Sequence, residues 1–302
     1  MVTQDTPVIT AQQWISLPAE FRRPGSSEHS KNQKRNRKID SFLEGPVFIS
    51  HLSCLFVTDI PYGRIFSIDI ATATWSLFLE YDGEPNGMAW NPLTEKIVIA
   101  DFKQGILSLD LTTKTVTPLA TRYHGERFKG PNDLVVAPDG SIYFTDQGMT
   151  GLHDPSGRVY RLFPNGRLDP IITNGPSPNG LVLTRDKTSL LVAMTRDNAV
   201  WHIPFYEDGS VQRVGRYSSY YGIGGPDGMA LDEEGNVFVA HSTLGTIYVH
   251  GSNGKLKTKI ESSVGNGTTN LTWGGEKSNV LYIVESESAS ILRVDWHCAG
   301  CL

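Results

Sequence analysis

Cysteine is scarce: Cys54, Cys298 and Cys301 are the only three in 302 residues. Three thiols cannot build a disulfide framework, so the fold rests on its own core, and the composition fits a reducing compartment. Cys298 and Cys301 form a CxxC beside His297. One such pair lacks the second pair that a structural zinc site needs, and it reads as an inert tail. An excess of basic charge is also missing, with 27 Lys and Arg against 32 Asp and Glu and a formal charge of -5. Such a field gives no general attraction to phosphate backbones or anionic lipid, so neither nucleic acid nor a membrane is an expected partner. Nowhere do 18 apolar residues run together, and residues 1–21 lack a basic stretch leading into an apolar one. A cytoplasmic protein is expected. Sustained 3.6-residue periodicity is absent, so helices should be few. No Gly-x-Ser-x-Gly elbow supports a serine triad, and no glycine-rich cradle awaits a nucleotide phosphate.

What is present is repetition. Pro85-Asn86-Gly87-Met88, Pro131-Asn132-Asp133-Leu134, Pro178-Asn179-Gly180-Leu181 and Pro226-Asp227-Gly228-Met229 are four copies of one motif, with Thr269-Asn270-Leu271 a weaker fifth. Glu44-Gly45-Pro46-Val47 stands one unit upstream of the first. The markers at 44, 86, 132, 179, 227 and 270 are 42, 46, 47, 48 and 43 residues apart. Within a unit, two-residue alternation is broken by turn chemistry, as at Pro138-Asp139-Gly140 and Pro164-Asn165-Gly166, which gives four short strands. The expected fold is an all-β, six-bladed β-propeller with four-stranded blades. The sixth unit supplies only three strands, so the ring should be closed by an N-terminal strand within residues 7–17, which also protects an edge. A single structural domain follows: an N-terminal segment 1–41 with the closing strand and a polar basic loop, the propeller at 42–296, and a tail at 297–302. The loop, with Lys31, Lys34, Arg35, Arg37 and Lys38, reads as solvated.

Each marker is expected just before the strand nearest the axis, so Glu44, Asn86, Asn132, Asn179, Asp227 and Asn270 gather at one end of the channel. Any one Pro-Asn-Gly is an ordinary turn sequence. Six oxygen-bearing side chains in register at the repeat period ask for more, and their formal charge of -2 suits a divalent cation. Hard oxygen donors without His or Cys favour calcium, and three or four of the six suffice to touch it. A second layer, at offsets of 14 to 16 residues, holds Asp59, Asp101, Asp146, Thr195, His241 and Glu285. These are read as anchors behind the ligands or as substrate contacts, with Asp146 and His241 on the substrate side and Asp59, Asp101 and Glu285 behind, where the marker Asn270 joins them. The loops 124–130, with Arg127 and Lys129, and 217–225, with Tyr220 and Tyr221, are expected to wall the pocket. Phe128, Met149 and Leu152 could line it too.

These residues resemble the gluconolactonase, senescence marker protein and luciferin-regenerating enzyme family of six-bladed propellers. The likeness rests on Phe42-Leu43-Glu44-Gly45-Pro46, Gly130-Pro131-Asn132-Asp133-Leu134, Phe144-Thr145-Asp146, Ser177-Pro178-Asn179-Gly180-Leu181 and Gly225-Pro226-Asp227-Gly228-Met229. It implies a calcium-dependent lactonase acting on a small-molecule lactone, with Glu44, Asn179 and Asp227 as metal ligands. Asn132 is implied as a fourth ligand or a substrate contact, Asp133 as a site carboxylate, and Arg127 as the family's arginine. Calcium on the lactone carbonyl would stabilise the charge that develops on oxygen, while Asp227 serves as general base or as nucleophile, with Asp133 and then Asp146 as the alternative catalytic carboxylates. Asn86, Arg127 and Lys129 are left to contact substrate. Two rival readings remain at this point: a phosphotriester hydrolase like the related diisopropyl fluorophosphatase propellers, and a propeller that only binds partners.

Overall fold

The computed structural model describes residues 6–301; the predicted segments' outer ends, residues 1–5 and 302, lie outside the described residues. The alternating stretches form strands throughout, and the chain is an all-β, propeller-like fold. Four sheets of four antiparallel strands follow one another in sequence. The first holds Leu43–Ile49, Cys54–Asp59, Arg64–Asp69 and Thr74–Glu80, and the second runs from Pro85–Asn91 to Thr115–Ala120. The third spans Pro131–Val136 to Leu168–Gly175, and the fourth Pro178–Leu183 to Gly215–Ser219. Burial falls from inside to outside: every residue of Leu43–Ile49 is buried, whereas in Thr74–Glu80 only Trp75 is. An inner strand packs against neighbours on both faces and so reads as a continuous apolar run.

Apart from the two-stranded hairpin of Arg122–Tyr123 and Glu126–Arg127, the remaining strands form one eight-stranded sheet, in the order Pro226–Leu231, Val237–His241, Thr246–His250, Leu256–Ser262, Val8–Ser16, Ser290–Asp295, Val280–Glu285 and Thr268–Gly274. Val8–Ser16 joins its halves. It runs parallel to Leu256–Ser262 from Val8↔Lys259 to Ala11↔Ser262, then antiparallel to Ser290–Asp295 from Gln12↔Arg293. The two halves also pack face to face, with Phe238, Ile247 and Ile260 against Trp273, Leu281 and Leu292. Phe238 meets Trp273 edge-on at 5.0 Å between ring centroids. Similar apolar clusters lie between successive sheets, and another joins the first sheet to the last strands through Phe48, Phe66, Trp75 and Tyr282. The strands that open the repeat units touch one another in sequence, and Thr268–Gly274 returns to touch Leu43–Ile49.

Residues 22–41 differ from the solvated loop expected. They contain the only α-helix among the described residues, Glu28–Gln33, opened by a capping box in which Ser27 and Ser30 satisfy each other's backbone N–H. Ion pairs fasten the segment to the first two sheets, Arg23 to Glu80 at 2.7 Å and Lys103 to Glu28 at 2.7 Å, and the Tyr62 hydroxyl donates to Ile39 O at 2.7 Å. His29, which the basic composition obscured, is buried beside Glu84, with Nδ1 3.6 Å from its carboxylate. Cys54, Cys298 and Cys301 form no disulfide. No helix of the described residues is long and apolar enough to cross a membrane.

Candidate functional site

The motifs expected to be turns before the inner strands are the openings of those strands. In each of the four Pro-containing copies the ladder pairs at the proline, skips two residues, and resumes at the fourth, as in Pro85↔Asp101 followed by Met88↔Ile99. The unpaired marker side chain is thereby turned out of the ladder, as a bulge does. In the sixth copy the pair equivalent to the proline is Thr268↔Glu285. The marker there is Thr269, one residue earlier than the expected Asn270. The sequence shifted the register because this copy has neither proline nor glycine.

One cavity of about 800 Å³ is lined by all six markers in this corrected register: Glu44, Asn86, Asn132, Asn179, Asp227 and Thr269. A groove of about 830 Å³ between the fourth and fifth repeat units has no such converging set, with Asp186 and Glu234 its carboxylates. One residue further along each strand lies a lower tier. Four of its members are glycines, Gly45, Gly87, Gly180 and Gly228, and the others are Asp133 and Asn270. The glycines are needed for space. A Cβ on Gly87 would lie 2.1 Å from Asp133 Oδ1, and one on Gly228 would lie 2.3 Å from Asn270 Oδ1. Gly45, at φ +47°, would place its Cβ 2.0 Å from the Asn86 carbonyl oxygen. Asn270 Nδ2 donates to Asp133 Oδ2 at 3.3 Å beneath the marker ring. Gly228→Ala is therefore expected to cost about 1–3 kcal/mol by overpacking, read as a lower urea midpoint with an unchanged slope.

The electrostatics of this core are severe. Burial raises the Glu44 carboxyl above its ordinary value, although the Gly45 N–H donates to it at 2.9 Å. Burial, together with the neighbouring Glu44, pushes Asp227 well above the carboxylate range, and the Asn179 amide offsets part of that rise. Asp133 is pushed up to about 7 by burial and then by Glu44. Three buried carboxyl groups thus sit within range of one another, a state that a multivalent cation relieves. The amides are oriented to help. Asn132 Nδ2 donates to Gln147 Oε1 at 2.9 Å, and Gln147 Nε2 donates to Ser177 Oγ at 2.9 Å, which leaves the Asn132 carbonyl oxygen free for the cavity. The donor set is oxygen only, two carboxylates and amide carbonyls, and it fits a hard divalent ion such as calcium.

Several expected contacts lie elsewhere. Asp146 and His241 do not line the cavity; they bind the backbone that leads into the inner strands. The Asp146 carboxylate accepts from Gly130 N at 2.8 Å, and His241 Nε2 pairs with Tyr221 O at 3.1 Å. Asp59 accepts from Phe42 N at 2.8 Å and holds buried Arg64, whose Nε is 2.8 Å away. Asp101 accepts from Lys103 N at 2.9 Å and Gln104 N at 2.8 Å, and Glu285 from Gly267 N at 2.7 Å. A carboxylate at a strand end has unpaired loop N–H groups closer than any ligand. Of that layer only Thr195 reaches the cavity wall. Asp133 lies in the lower tier, beneath the wall. Arg127 is exposed in the small hairpin Arg122–Tyr123/Glu126–Arg127, and Lys129 Nζ is held by Ser156 Oγ at 2.9 Å, so neither faces the cavity. Phe128 packs into the core against Phe144, and Tyr220 is buried against His250. Tyr221 is exposed, outside the cavity wall. Met149 and Leu152 do line it, with His29, Gln33, Lys34, Arg196 and Ile223, all from loops or the helix that no periodicity marked.

Fold and cavity define a propeller-like protein with a carboxylate-rich site where its inner strands open. Residues 42–287 match the family described as the SMP-30/Gluconolactonase/LRE-like region, and the chain belongs to that family. It is 33% identical over 283 residues to the gluconolactonase of Zymomonas mobilis, covering 83% of this chain and 77% of that one. It is 30% identical over 230 residues to lactonase drp35 of Staphylococcus haemolyticus, covering 70% of this chain and 67% of that one. Among solved structures, a calcium-binding protein, regucalcin, of Agrobacterium tumefaciens superposes with a TM-score of 0.79 at 17% identity, covering 98% of each chain. A gluconolactonase of Xanthomonas campestris gives 0.74 at 23% identity, covering 96% of this chain and 98% of that one.

Proposed function

We propose that this protein is a calcium-dependent hydrolase that opens a lactone ring, built on six blades. The blade count follows from reading the eight-stranded sheet as two blades joined through Val8–Ser16; the face-to-face packing of its halves and the circuit of inner strands support it. The function rests above all on one observation, the convergence of Glu44, Asn132, Asn179 and Asp227 on a single cavity in a chain related to proteins named gluconolactonase and lactonase. Glu44, Asn179 and Asp227 would hold the ion, with Asn132 a fourth ligand or a contact to substrate. When bound, calcium supplies a Lewis acid for the lactone carbonyl and neutralises oxygen charge as it develops.

The residues of the chain do the rest. Asn86 and Thr269, on the same ring, offer an amide and a hydroxyl to the oxygens of the lactone. Asp227 takes a proton from the water that attacks the carbonyl carbon. As the ring C–O bond breaks, that proton passes to the leaving alkoxide, and the product is a hydroxy acid. Asp133 in the tier below would add negative charge that favours the cation, without touching substrate.

The test is lactone hydrolysis followed by pH-stat on metal-stripped protein, with calcium restored stepwise and a phosphotriester run alongside. Activity that returns with calcium on the lactone alone is the expected result. Calcium binding without turnover of any lactone, or a large preference for the phosphotriester, would overturn the reading.

A further inference from the structure

Two cations line the cavity, and neither forms an ion pair among the described residues: Lys34 and Arg196. Lys34 closes the helix Glu28–Gln33 and lies upstream of the family-matched residues 42–287. Its Nζ sits 3.7 Å above the centre of the Phe42 ring. Arg196 lies in the turn Thr195–Asp197, and its Nη1 donates to Ile223 O at 3.0 Å, which leaves further N–H donors for a ligand. Burial depresses the Lys34 ammonium; Asp227, Glu44 and Glu287 act against that depression, and Arg196 adds slightly to it. Arg196 is exposed to solvent and Lys34 half-buried, so the pair presents two positive charges, one of them partly dehydrated, to an anion entering the cavity. The carboxylates nearby are otherwise engaged. Glu44 and Asp227 belong to the proposed ion site, and Glu287, also on the cavity wall, faces Arg37 at 4.0 Å.

We propose, on the lactonase reading above, that Lys34 and Arg196 form an anion subsite at the cavity mouth, and that the preferred lactone carries a second anionic group, a carboxylate or a phosphate, away from its ring carbonyl. The cavity of about 800 Å³ leaves room for such an extension beyond a bare ring. The N-terminal segment thereby acts as a selector added to the propeller.

Matched pairs test it: D-galactono-1,4-lactone against D-galactaro-1,4-lactone for the carboxylate, and D-glucono-1,5-lactone against its 6-phosphate for the phosphate. The wild type is expected to favour the charged member of at least one pair by about tenfold or more in kcat/KM, the scale of one charge-assisted contact. Lys34→Gln and Arg196→Gln should each collapse that ratio, and Lys34→Arg should keep it. A purely structural role would lower both members together. Calorimetry with the ring-opened products, galactarate and 6-phosphogluconate, gives a second readout that does not need turnover. Weaker binding in both Gln variants than in the wild type supports the subsite even if every lactone is inert, an outcome that sinks only the lactonase reading. A ratio near one in the wild type, a ratio unchanged in both variants, or a preference for an alkyl lactone seated on Met149, Leu152 and Ile223 overturns the proposal.

Discussion

Asp227→Asn is expected to abolish calcium-supported lactone turnover, by about 10³-fold, while raising the melting temperature of the metal-free protein. The rate loss follows from removing at once a ligand charge and the proton acceptor, each of which is worth a factor of about 10²–10³ or more where charge develops in a dry site. The gain in stability has the same origin. Asp227 is buried, its carboxyl is held well above the carboxylate range by burial and by Glu44, and the amide of similar shape removes that repulsion. Asn179→Ala should share the rate loss without the gain, because it deletes a neutral ligand and leaves Asp227 without its amide partner. Melting curves with and without calcium, beside pH-stat rates, separate the two variants. Full activity in Asp227→Asn would remove this residue from the chemistry.

Metal-free protein is expected to lose stability as pH rises from about 4 to about 7 and above. The sign comes from Asp133, whose folded pKa is pushed up to about 7 from an ordinary 3.8. The folded state holds that proton more tightly than the unfolded chain does. Its contribution is therefore complete below the unfolded pKa and is lost as pH rises through the folded one. Glu44 and Asp227, also raised, act in the same direction. Buried His241 and His250, with depressed pKa values, oppose it by losing stability as pH falls below about 6.5. The diagnostic comparison is Asp133→Asn, in which the decline should flatten, with a wild-type difference between pH 5 and pH 8 on the order of 5 °C. Calcium should reverse the decline. An ion that binds only the folded state adds about 2.7 kcal/mol at a hundred times its Kd, and it should bind more tightly at pH 8, where fewer protons compete for the carboxylates. A melting temperature independent of both pH and calcium would mean that these carboxyl groups are not a metal site.

Much of the architecture was legible because repetition converts weak local signals into a strong one. A single Pro-Asn-Gly says turn, whereas the same triplet at a regular spacing says that one strand recurs. Five of the six wall residues, Glu44, Asn86, Asn132, Asn179 and Asp227, could be read from that spacing alone. The sixth slipped by one residue, since Thr268-Thr269-Asn270 has no proline to fix the register. Offsets located Asp59, Asp101, Asp146, His241 and Glu285 at strand ends but could not tell whether a polar side chain turns toward an axis or back onto a loop N–H. Lys34, Arg196 and Gln147 left no periodic trace. Their places depend on how a helix and three loops pack over the ring, which is tertiary information.

The strand Val8–Ser16 has a consequence for the order of events during synthesis. Every partner it has lies some 250 residues or more downstream, from Lys259 to Arg293. At a ribosomal pace of about 5–20 residues per second, this strand waits tens of seconds for its partners to emerge. Through that interval its apolar side chains, Ala11 destined for one core cluster and Trp14 and Ile15 for another, are open to other nascent chains. Once seated, it is paired along part of its length with Leu256–Ser262 and along the rest with Ser290–Asp295, so that opening one of these pairings leaves the strand still held by the other. Slow assembly and slow disassembly are two results of the same pairing.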